Sequence, residues 1–319
     1  MNLVREGWTG RIGAGLGVAC AAGAGLVSAV GLLGAVSGWA DAANHFAPVW
    51  LVAGWVGAAL VAVCLRRGRL RTAALASAAV AVVASGAPMV AEMVRTGREA
   101  PPPGNLVILT FNRWWDSTDL PPQVAMIRAS GADIVALQEV YGFEQTAQRD
   151  LRELYPYQVY CHPGCNTAIL SKRPVLASGQ EDLVHWPGST SLVWVRTTAP
   201  DGRPVTLATV HPLWPIPPWI QRGQRGHIAD LVAKLPVDET VLVGDFNLTP
   251  WSFAMRKMEP TLLPLTRRTH GLLTFPATWP VPFLALDQVF AAPAWKTVRI
   301  DRLPRAASDH YPVRVELKR

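Results

Sequence analysis

The sequence predicts a membrane anchor of three transmembrane α-helices followed by one α+β domain, in which packed β-sheets are flanked by helices. Two observations predict this fold class. Three long segments near the amino terminus carry no charged residue, and from residue 105 the chain alternates short apolar runs with helical segments. Only 17% of the 319 residues are charged and 13 are tryptophan, which excludes an intrinsically disordered chain.

The three uncharged segments cover positions 12–40, 42–65 and 72–91. Because about 20 apolar residues cross the hydrocarbon core of a bilayer, we predict spans at about 12–38, 46–65 and 72–94 within an anchor at 1–99. The pairs Gly13-x-x-x-Gly17 and Gly34-x-x-x-Gly38 would let helix backbones approach closely, although filler composition explains them equally well. No charged residue interrupts the three segments, which disfavours a transport pathway.

The first segment has a second interpretation, because Ala40-Asp41-Ala42 fits the cleavage site of a signal peptide. The apolar core of a signal peptide runs about 7–15 residues, and the run here is nearly twice that upper limit. We therefore favour an uncleaved helix. Cleavage would in any case leave two spans in the membrane.

Positive charge in the short loops predicts the orientation of the anchor. The second connection, residues 66–71, contains four arginines, whereas the first, around Asp41, contains no Lys or Arg. Since positive loops stay in the cytoplasm, we expect a multi-pass protein of the inner or plasma membrane with a cytoplasmic amino terminus. The domain at 105–319 would be extracytoplasmic, held off the bilayer by the stiff Pro-rich linker 100–104.

The four cysteines leave three alternatives open. Cys20 and Cys64 lie in predicted spans and are interpreted as small apolar fillers. Cys161 and Cys165 bracket a His-Pro-Gly sequence in the outward domain, where a disulfide is permitted. Free thiols are the second reading, and a zinc site the third, although zinc lacks a credible fourth ligand.

The soluble part contains many predicted strands with helices between them, a pattern typical of packed sheets with helices outside. The strands are expected at 106–111, 133–138, 167–171, 191–198, 204–209, 240–243, 285–290, 296–300 and 313–317, and the helices at 122–130, 144–154 and 219–235.

Polar residues fall where these apolar strands end. Asn112, Glu139, Asp245 and Asn247 occupy such ends. Asp309 and His310 directly precede the final strand, and Asp287 interrupts an apolar strand. Taken singly, each has a structural explanation as a helix cap, a helix-start acid or a turn residue. Together they suggest a hard divalent cation, which compensates buried carboxylates. Oxygen-only ligands favour Mg²⁺, Mn²⁺ or Ca²⁺ over zinc.

The segments that carry these residues resemble the endonuclease/exonuclease/phosphatase superfamily, the deoxyribonuclease-I-like fold. They are Thr110-Phe111-Asn112, Leu137-Gln138-Glu139, Ala168-Ile169-Leu170-Ser171, Val210-His211-Pro212, Gly244-Asp245-Phe246-Asn247, Leu286-Asp287-Gln288-Val289-Phe290 and Ser308-Asp309-His310-Tyr311-Pro312-Val313. The resemblance covers about 105–317 and is closest to a bacterial branch with amino-terminal membrane helices. It implies a four-layer α/β/β/α sandwich with the site at one end.

The resemblance also implies a role for each residue. Glu139 would be the principal Mg²⁺ ligand (Mn²⁺ is also possible), with Asn112 close by and Asp309 completing the carboxylate cluster. The other five residues would act on the substrate. Asp245 would orient or deprotonate the attacking water, Asn247 and His211 would donate to phosphoryl oxygens, and His310 would contact the scissile phosphate while Asp287 holds its ring. Whether Asp245 or His310 is the base stays open at this stage.

The loop at 213–219 departs from a nucleic-acid channel, which combines stacking aromatics with positive charge. It contains two tryptophans and three prolines but no basic residue. It is either a rigid surface loop or a segment that contacts lipid headgroups, the depth that Trp favours.

These observations predict a membrane-anchored, metal-dependent phosphoesterase that attacks phosphorus with water. Its substrate would be a phosphorylated compound, whether a lipid headgroup, a nucleic acid or a small phosphoester, and no protein partner can be inferred. An extracytoplasmic nuclease acting on DNA or RNA is one alternative. A catalytically inactive, membrane-bound binding module is another, although such a module has no need of the whole residue set.

Overall fold

A computed structural model describes residues 8–95, 105–161, 166–182 and 191–319. The chain divides into two compact units. The first unit comprises residues 1–96 together with 250–256, and the second comprises 97–249 and 257–319. The predicted linker 100–104 lies outside the described residues.

The first unit contains four helices within its described residues: α1 (Trp8–Leu32), α2 (Gly38–His45), α3 (Ala47–Cys64) and α4 (Arg69–Val94). Three segments are long and apolar enough to cross a membrane: Trp8–Ala35, Ala47–Cys64 and Arg69–Val94. The short helix α2 lies between the first two segments, where the sequence indicated only a connection. Helix α4 is longer than the uncharged run, so it also includes the buried Glu92.

Small residues let α1 and α3 pack closely. A Cβ at Gly17 would lie 2.8 Å from the Cβ of Leu60, and one at Gly57 would lie 2.6 Å from the nitrogen of Ala21. Both distances are too short for a side chain, so glycine permits the approach of the two backbones. Gly17 therefore has a packing role, one of the two interpretations that the sequence left open.

The acid that interrupts the uncharged segments, Asp41, is a buried residue of α2. Its two carboxylate oxygens accept hydrogen bonds from the backbone nitrogens of Phe253 (2.8 Å) and Ala254 (2.7 Å), and Asn44 Nδ2 also donates to it (2.8 Å). These contacts explain why a segment distant in sequence belongs to the first unit. A carboxylate that accepts several N–H bonds is stable when buried.

The second unit is built from two six-stranded sheets. The strands are β1 (Leu106–Asn112), β2 (Ile134–Gln138), β3 (Tyr157–Tyr160), β4 (Thr167–Ser171), β5 (Ala177–Asp182), β6 (Ser191–Thr198), β7 (Pro204–Val210), β8 (Thr240–Asp245), β9 (Thr266–Arg267), β10 (Asp287–Ala291), β11 (Lys296–Arg302) and β12 (Val313–Lys318). The first sheet has the order β11-β12-β1-β2-β4-β3 and the second β5-β6-β7-β8-β10-β9.

Helices α5 (Leu120–Ala129), α6 (Glu144–Asp150), α7 (Pro218–Val232) and α8 (Phe253–Met258) complete the described elements. Leu109 and Phe111 of β1 share a buried cluster with Ile127 of α5 and Ala147 of α6. Since side chains alternate along a strand, the other face of β1 points toward the second sheet, where β1 and β2 contact β7 and β8. The predicted sandwich of packed sheets flanked by helices is confirmed.

Several element boundaries differ from the sequence predictions. Strands β3, β5 and β9 and helix α8 were missed, and α6 ends at Asp150, four residues earlier than expected. Asp287 begins β10 and does not interrupt a longer strand. The short strand β3 was missed because it lies at the edge of its sheet and its residues are only partly buried.

Candidate active site

The sheet topology brings the polar strand ends to one edge of the second unit. β1 pairs in parallel with β2, and β7 pairs in parallel with β8. Parallel neighbours end on the same side of a sheet, which places Asn112 beside Glu139, and His211 beside Asp245. Because the two sheets pack face to face, the two pairs meet across the sandwich.

Asn112 links the two sheets at this edge. Its Nδ2 donates to Glu139 Oε1 and to Asp245 Oδ2, both at 3.0 Å. Its Oδ1 accepts from the backbone nitrogen of Trp114 (3.0 Å), which fixes the orientation of the amide. Glu139 is held from its other side, where Oε2 accepts from the backbone nitrogen of Trp115 (2.8 Å). Asn112 therefore holds two carboxylates together through its nitrogen.

His211 faces both of these carboxylates. Its Nε2 lies 3.6 Å from Glu139 Oε1 and 3.6 Å from Asp245 Oδ2. The opposite ring nitrogen, Nδ1, lies 3.1 Å from Nδ2 of the buried Asn166. An amide nitrogen only donates, so in this orientation of the amide Nδ1 accepts from Asn166, and Nε2 is the ring nitrogen that faces the two carboxylates. Asn166 was missed by the sequence analysis, although it directly precedes the β4 segment that carries part of the resemblance.

His310 lies between two carboxylates. Its Nδ1 is 2.9 Å from Asp287 Oδ2 and its Nε2 is 3.5 Å from Asp245 Oδ2. Burial opposes a charge on the ring, but the carboxylates of Asp287 and Asp245 outweigh it and raise the pKa of His310 to about 10. The Phe275 ring packs against the imidazole with centroids 4.9 Å apart. His310 is therefore a charged, buried group at neutral pH.

Ser308 connects the loop before β12 to the end of β1. Its hydroxyl donates to the Asn112 carbonyl (2.7 Å) and accepts from the His310 backbone nitrogen (3.0 Å). The neighbouring Asp309 is partly buried, and burial raises its pKa, as do the carboxylates of Glu139 and Asp245, while the His310 cation opposes the shift. Three acids thus concentrate negative charge at this edge.

Asn247 makes two hydrogen bonds within the protein. Its Nδ2 donates to the carbonyl of Pro212 (2.9 Å), and its backbone nitrogen donates to Asp245 Oδ1 (2.8 Å). The side chain thereby joins the loop after β8 to the loop that follows His211. In the described arrangement Asn247 shapes the site through protein contacts.

Two site residues have left-handed backbone conformations, which non-glycine residues rarely adopt. The φ angle is 57° at Glu139 and 50° at Asn247. Such conformations cost of order 1–3 kcal/mol each and persist where surrounding structure imposes them, often at functional sites. The hydrogen bonds of the two side chains hold them in place.

Arg113 is a buried site residue that the sequence analysis did not select. Its guanidinium donates to the carbonyls of Glu139 (3.3 Å), Tyr141 (2.7 Å) and Ser117 (2.6 Å), and to Gln123 Oε1 (3.1 Å). Burial lowers the pKa of Arg113, and Glu139 opposes this effect. The sequence feature that could have indicated Arg113 is its position directly after Asn112. The side chain fixes the loop after β1 against the loop after Glu139.

Residues 109–310 match the sequence pattern of the Endonuclease/Exonuclease/phosphatase family. The chain belongs to this family. Its members are hydrolases that act on phosphoester bonds, and they generally depend on divalent metals. The chain has no significant match among curated proteins.

Solved structures of the family share the fold of the second unit. The Danio rerio TDP2 complexed with a single-strand DNA product has a TM-score of 0.56 and 17% identity, covering 67% of this chain and 99% of that protein. A mannosyl-6-phosphatase of Bacteroides thetaiotaomicron has a TM-score of 0.52 and 18% identity, covering 66% and 99%. A family protein from Beutenbergia cavernae has a TM-score of 0.53 and 21% identity, covering 67% and 72%.

The divalent metal of the family fits the chemistry of the donors here. The described residues contain no group of three His, Cys, Asp or Glu side chains arranged to hold a metal ion. The acids Glu139, Asp245 and Asp309 nevertheless interact closely enough that two of them raise the pKa of the third. Oxygen donors with excess negative charge suit a hard divalent cation.

Of the two cysteines in the second unit, Cys161 lies within the described residues. Cys161 is disulfide-bonded, and Cys20 and Cys64 are free. Cys165 lies outside the described residues. Of the three alternatives for this pair, the state of Cys161 agrees with a disulfide and excludes a free thiol at that position.

Proposed function

We propose that this family member is a membrane-anchored, divalent-metal-dependent phosphoesterase with an extracytoplasmic catalytic domain. It hydrolyses a phosphodiester or phosphomonoester by attack of water at phosphorus. The observation that carries the proposal is the convergence of Asn112, His211 and His310 on a single atom, Oδ2 of Asp245. If this edge of the sheet had only a structural role, two imidazoles and an amide around one buried carboxylate would not be required.

Asp245 is the base in this proposal. Both ring nitrogens of His310 face carboxylates, so both carry protons and the ring has no lone pair with which to accept another. The carboxylate of Asp245 can take the proton of the attacking water as the water oxygen bonds to phosphorus. The P–O ester bond then breaks, and its electron pair goes to the leaving oxygen. Between the two bases that the sequence left open, the proposal takes Asp245.

The two imidazoles stabilise the charge that develops on the phosphoryl group. His211 and His310 direct Nε2 to the same region beside Asp245, so a phosphoryl oxygen there accepts hydrogen bonds from both. Asp287 holds His310 through Nδ1, and Asn166 does the same for His211. Donors held in advance of the reaction are worth about 10²–10³ in rate each.

Glu139 and Asp309 would hold the metal ion, and Asn112 would position Glu139 and Asp245 around it. A bound divalent cation neutralises phosphate charge and stabilises the departing oxygen. The pull of a cation on Glu139 would also offset the cost of its left-handed backbone.

Two observations support the extracytoplasmic assignment. The connection between α3 and α4 begins at Leu65 and contains Arg66 and Arg67, and positively charged loops stay in the cytoplasm. If α4 crosses the membrane once from this loop, the chain after α4 emerges on the side opposite the cytoplasm. The disulfide at Cys161 is typical of an oxidising compartment.

The test is hydrolysis of bis(p-nitrophenyl) phosphate and p-nitrophenyl phosphate by the full chain in detergent micelles, with Mg²⁺, Mn²⁺ or a chelator. We expect metal-dependent turnover that falls about 10²–10⁴-fold in Asp245→Asn and His310→Asn. Asp238→Asn and His227→Asn are matched controls, because both residues are exposed and lie away from the strand ends of the site. Turnover by the two site variants at the rate of the controls contradicts the proposal.

A further inference from the structure

Two loops beside the imidazoles expose an unusual group of apolar side chains. The first loop, 212–217, continues into the start of α7, and this segment exposes Trp214, Ile216 and Trp219. The second loop, 275–283, exposes Trp279 and Val281. Trp219 and Trp279 are more than 60% exposed. Single exposed apolar residues are ordinary, whereas a group of them marks a contact surface. We call these five side chains the apolar rim.

The apolar rim is attached directly to the site. The Trp214 and Phe275 rings contact each other edge to face with centroids 6.3 Å apart, and Phe275 packs against His310. The first loop also follows Pro212, whose carbonyl accepts from Asn247. In the second loop the Ala277 nitrogen donates to the Asp309 carbonyl (2.6 Å). Each loop is therefore fixed by residues that flank the reacting groups.

Neither loop carries charge. Positions 212–221 and 271–286 contain no Asp, Glu, Lys or Arg. A surface that binds nucleic acid combines stacking aromatics with cations that neutralise phosphates, and these loops have only the aromatics. Tryptophan is enriched at the interface between lipid and water. The same chain has three segments able to cross a membrane, which confine the attached domain to the vicinity of a bilayer.

We propose that the apolar rim contacts the bilayer surface and delivers a lipid-borne phosphoester to the site. This inference rests on the proposed function, and it narrows the substrate class to phosphoesters whose leaving group or phosphoryl group is part of a membrane lipid. Insertion of the rim into the interface places the lipid headgroup beside His211 and His310. A soluble phosphoester reaches the same groups without help from the rim.

The activity test uses the full chain reconstituted into vesicles of phosphatidylcholine, phosphatidylethanolamine and phosphatidylglycerol, whose own phosphodiesters are the probes. In the double variant Trp219→Ser/Trp279→Ser we expect lipid hydrolysis to fall at least about tenfold, because interfacial binding scales with buried apolar area. Turnover of bis(p-nitrophenyl) phosphate should stay within about twofold, because a soluble phosphoester reaches the site without contacting the two indoles and so loses no transition-state contact. Leu263→Ser is the matched control, because Leu263 is 65% exposed and lies with Thr240 at the opposite end of β8.

A second measurement does not depend on activity. The photoreactive residue p-benzoylphenylalanine, placed at position 279, should form an adduct with phosphatidylcholine under ultraviolet light, and the same residue at position 263 should not. An equal effect of the double variant on both substrates, or no adduct at 279, overturns the inference. Tight binding of single-stranded DNA that the double variant abolishes also overturns it and makes the rim a stacking surface.

The two measurements separate failure of the inference from failure of the proposed function. If the wild-type chain hydrolyses no phosphoester with any metal, the proposed function fails. An adduct at 279 then still supports the membrane contact, and its absence refutes it.

Discussion

Asp245 and Asp287 are directly paired across the antiparallel strands β8 and β10, and His310 lies between their carboxylates. Two acids opposite each other in a buried ladder repel one another. The imidazolium of His310 compensates this repulsion through 2.9 Å and 3.5 Å contacts. The two carboxylates in turn raise the pKa of His310 and so favour its charged form.

Loss of charge at Asp287 should disable His310. We expect Asp287→Asn to lower kcat toward a soluble diester by about 10²–10⁴-fold, as for loss of an acid–base group. Combined with His310→Asn, it should add little, because residues that act as a unit are not additive. The measurement is kcat for both single variants and the double variant. If the fold-losses in kcat of the two single variants multiply in the double variant, Asp287 acts independently of His310.

Asn166 should act through His211. Removal of its amide in Asn166→Ala leaves the ring free to change orientation, and we expect kcat to fall by about 10-fold or more, as when partners that orient a histidine are removed. In a His211→Ala background the same substitution should have almost no effect. Asn105→Ala is the matched control, since Asn105 lies just before the opposite end of β1. A full loss in both backgrounds would separate Asn166 from His211.

Glu139→Gln should weaken metal binding. Removing one negative charge from the oxygen cluster should raise the metal concentration needed for half-maximal activity by at least about tenfold. Titration of Mn²⁺ followed by electron paramagnetic resonance measures binding without turnover. The exposed Glu153→Gln is the matched control. An unchanged Mn²⁺ titration in Glu139→Gln would remove Glu139 from the metal site.

Gly244 should tolerate no side chain. Its φ is 144°, and a Cβ built there would overlap the carbonyl oxygen of Val210 in the neighbouring strand. We expect Gly244→Ala to lower the free energy of unfolding by at least about 2 kcal/mol. Gly226→Ala in α7, where a Cβ meets nothing within 4 Å, should be neutral or stabilising by up to about 1 kcal/mol. Thermal unfolding of both variants tests the contrast, and equal melting temperatures would contradict it.

Tyr155 should make stability fall at alkaline pH. Its hydroxyl donates to the Ala132 carbonyl (3.0 Å), and burial raises the pKa of the phenol from 10.0 to about 12. The folded state therefore favours the protonated form. The contribution of Tyr155 to the free energy of unfolding is fully present below pH 10, and it is lost as the pH rises from 10 toward 12.

Tyr155→Phe cannot ionise at this position, so its unfolding free energy should decline less over that interval than the wild-type value. Chemical denaturation at pH 9, 10 and 11 follows the difference, where each pH unit changes the contribution of one such group by about 1.4 kcal/mol at most. Parallel curves for the two proteins would assign the alkaline loss to other groups.

Much of the candidate site could be predicted because its residues follow apolar strands directly in sequence. Asn112, Glu139 and Asp245 are each one step from a run of buried residues, so local pattern locates them. Parallel pairing of the strands then brings them to one edge. The hydrogen bond between Asn247 and Pro212 could not be predicted, because the two residues lie 35 positions apart in the sequence.

The sequence by itself determined the three apolar segments, the alternation of strands and helices, and the residues that end the strands, because hydrophobic periodicity and charge are local properties. Only the tertiary structure decided which groups face each other: Asn166 on His211, Arg113 on the loop after Glu139, and Asp41 on the backbone at 253–254. Such pairs join residues far apart in the chain. Strand order and register set the contacts at the strand ends, and a register shift of one residue would turn the side chains of a strand to the opposite face.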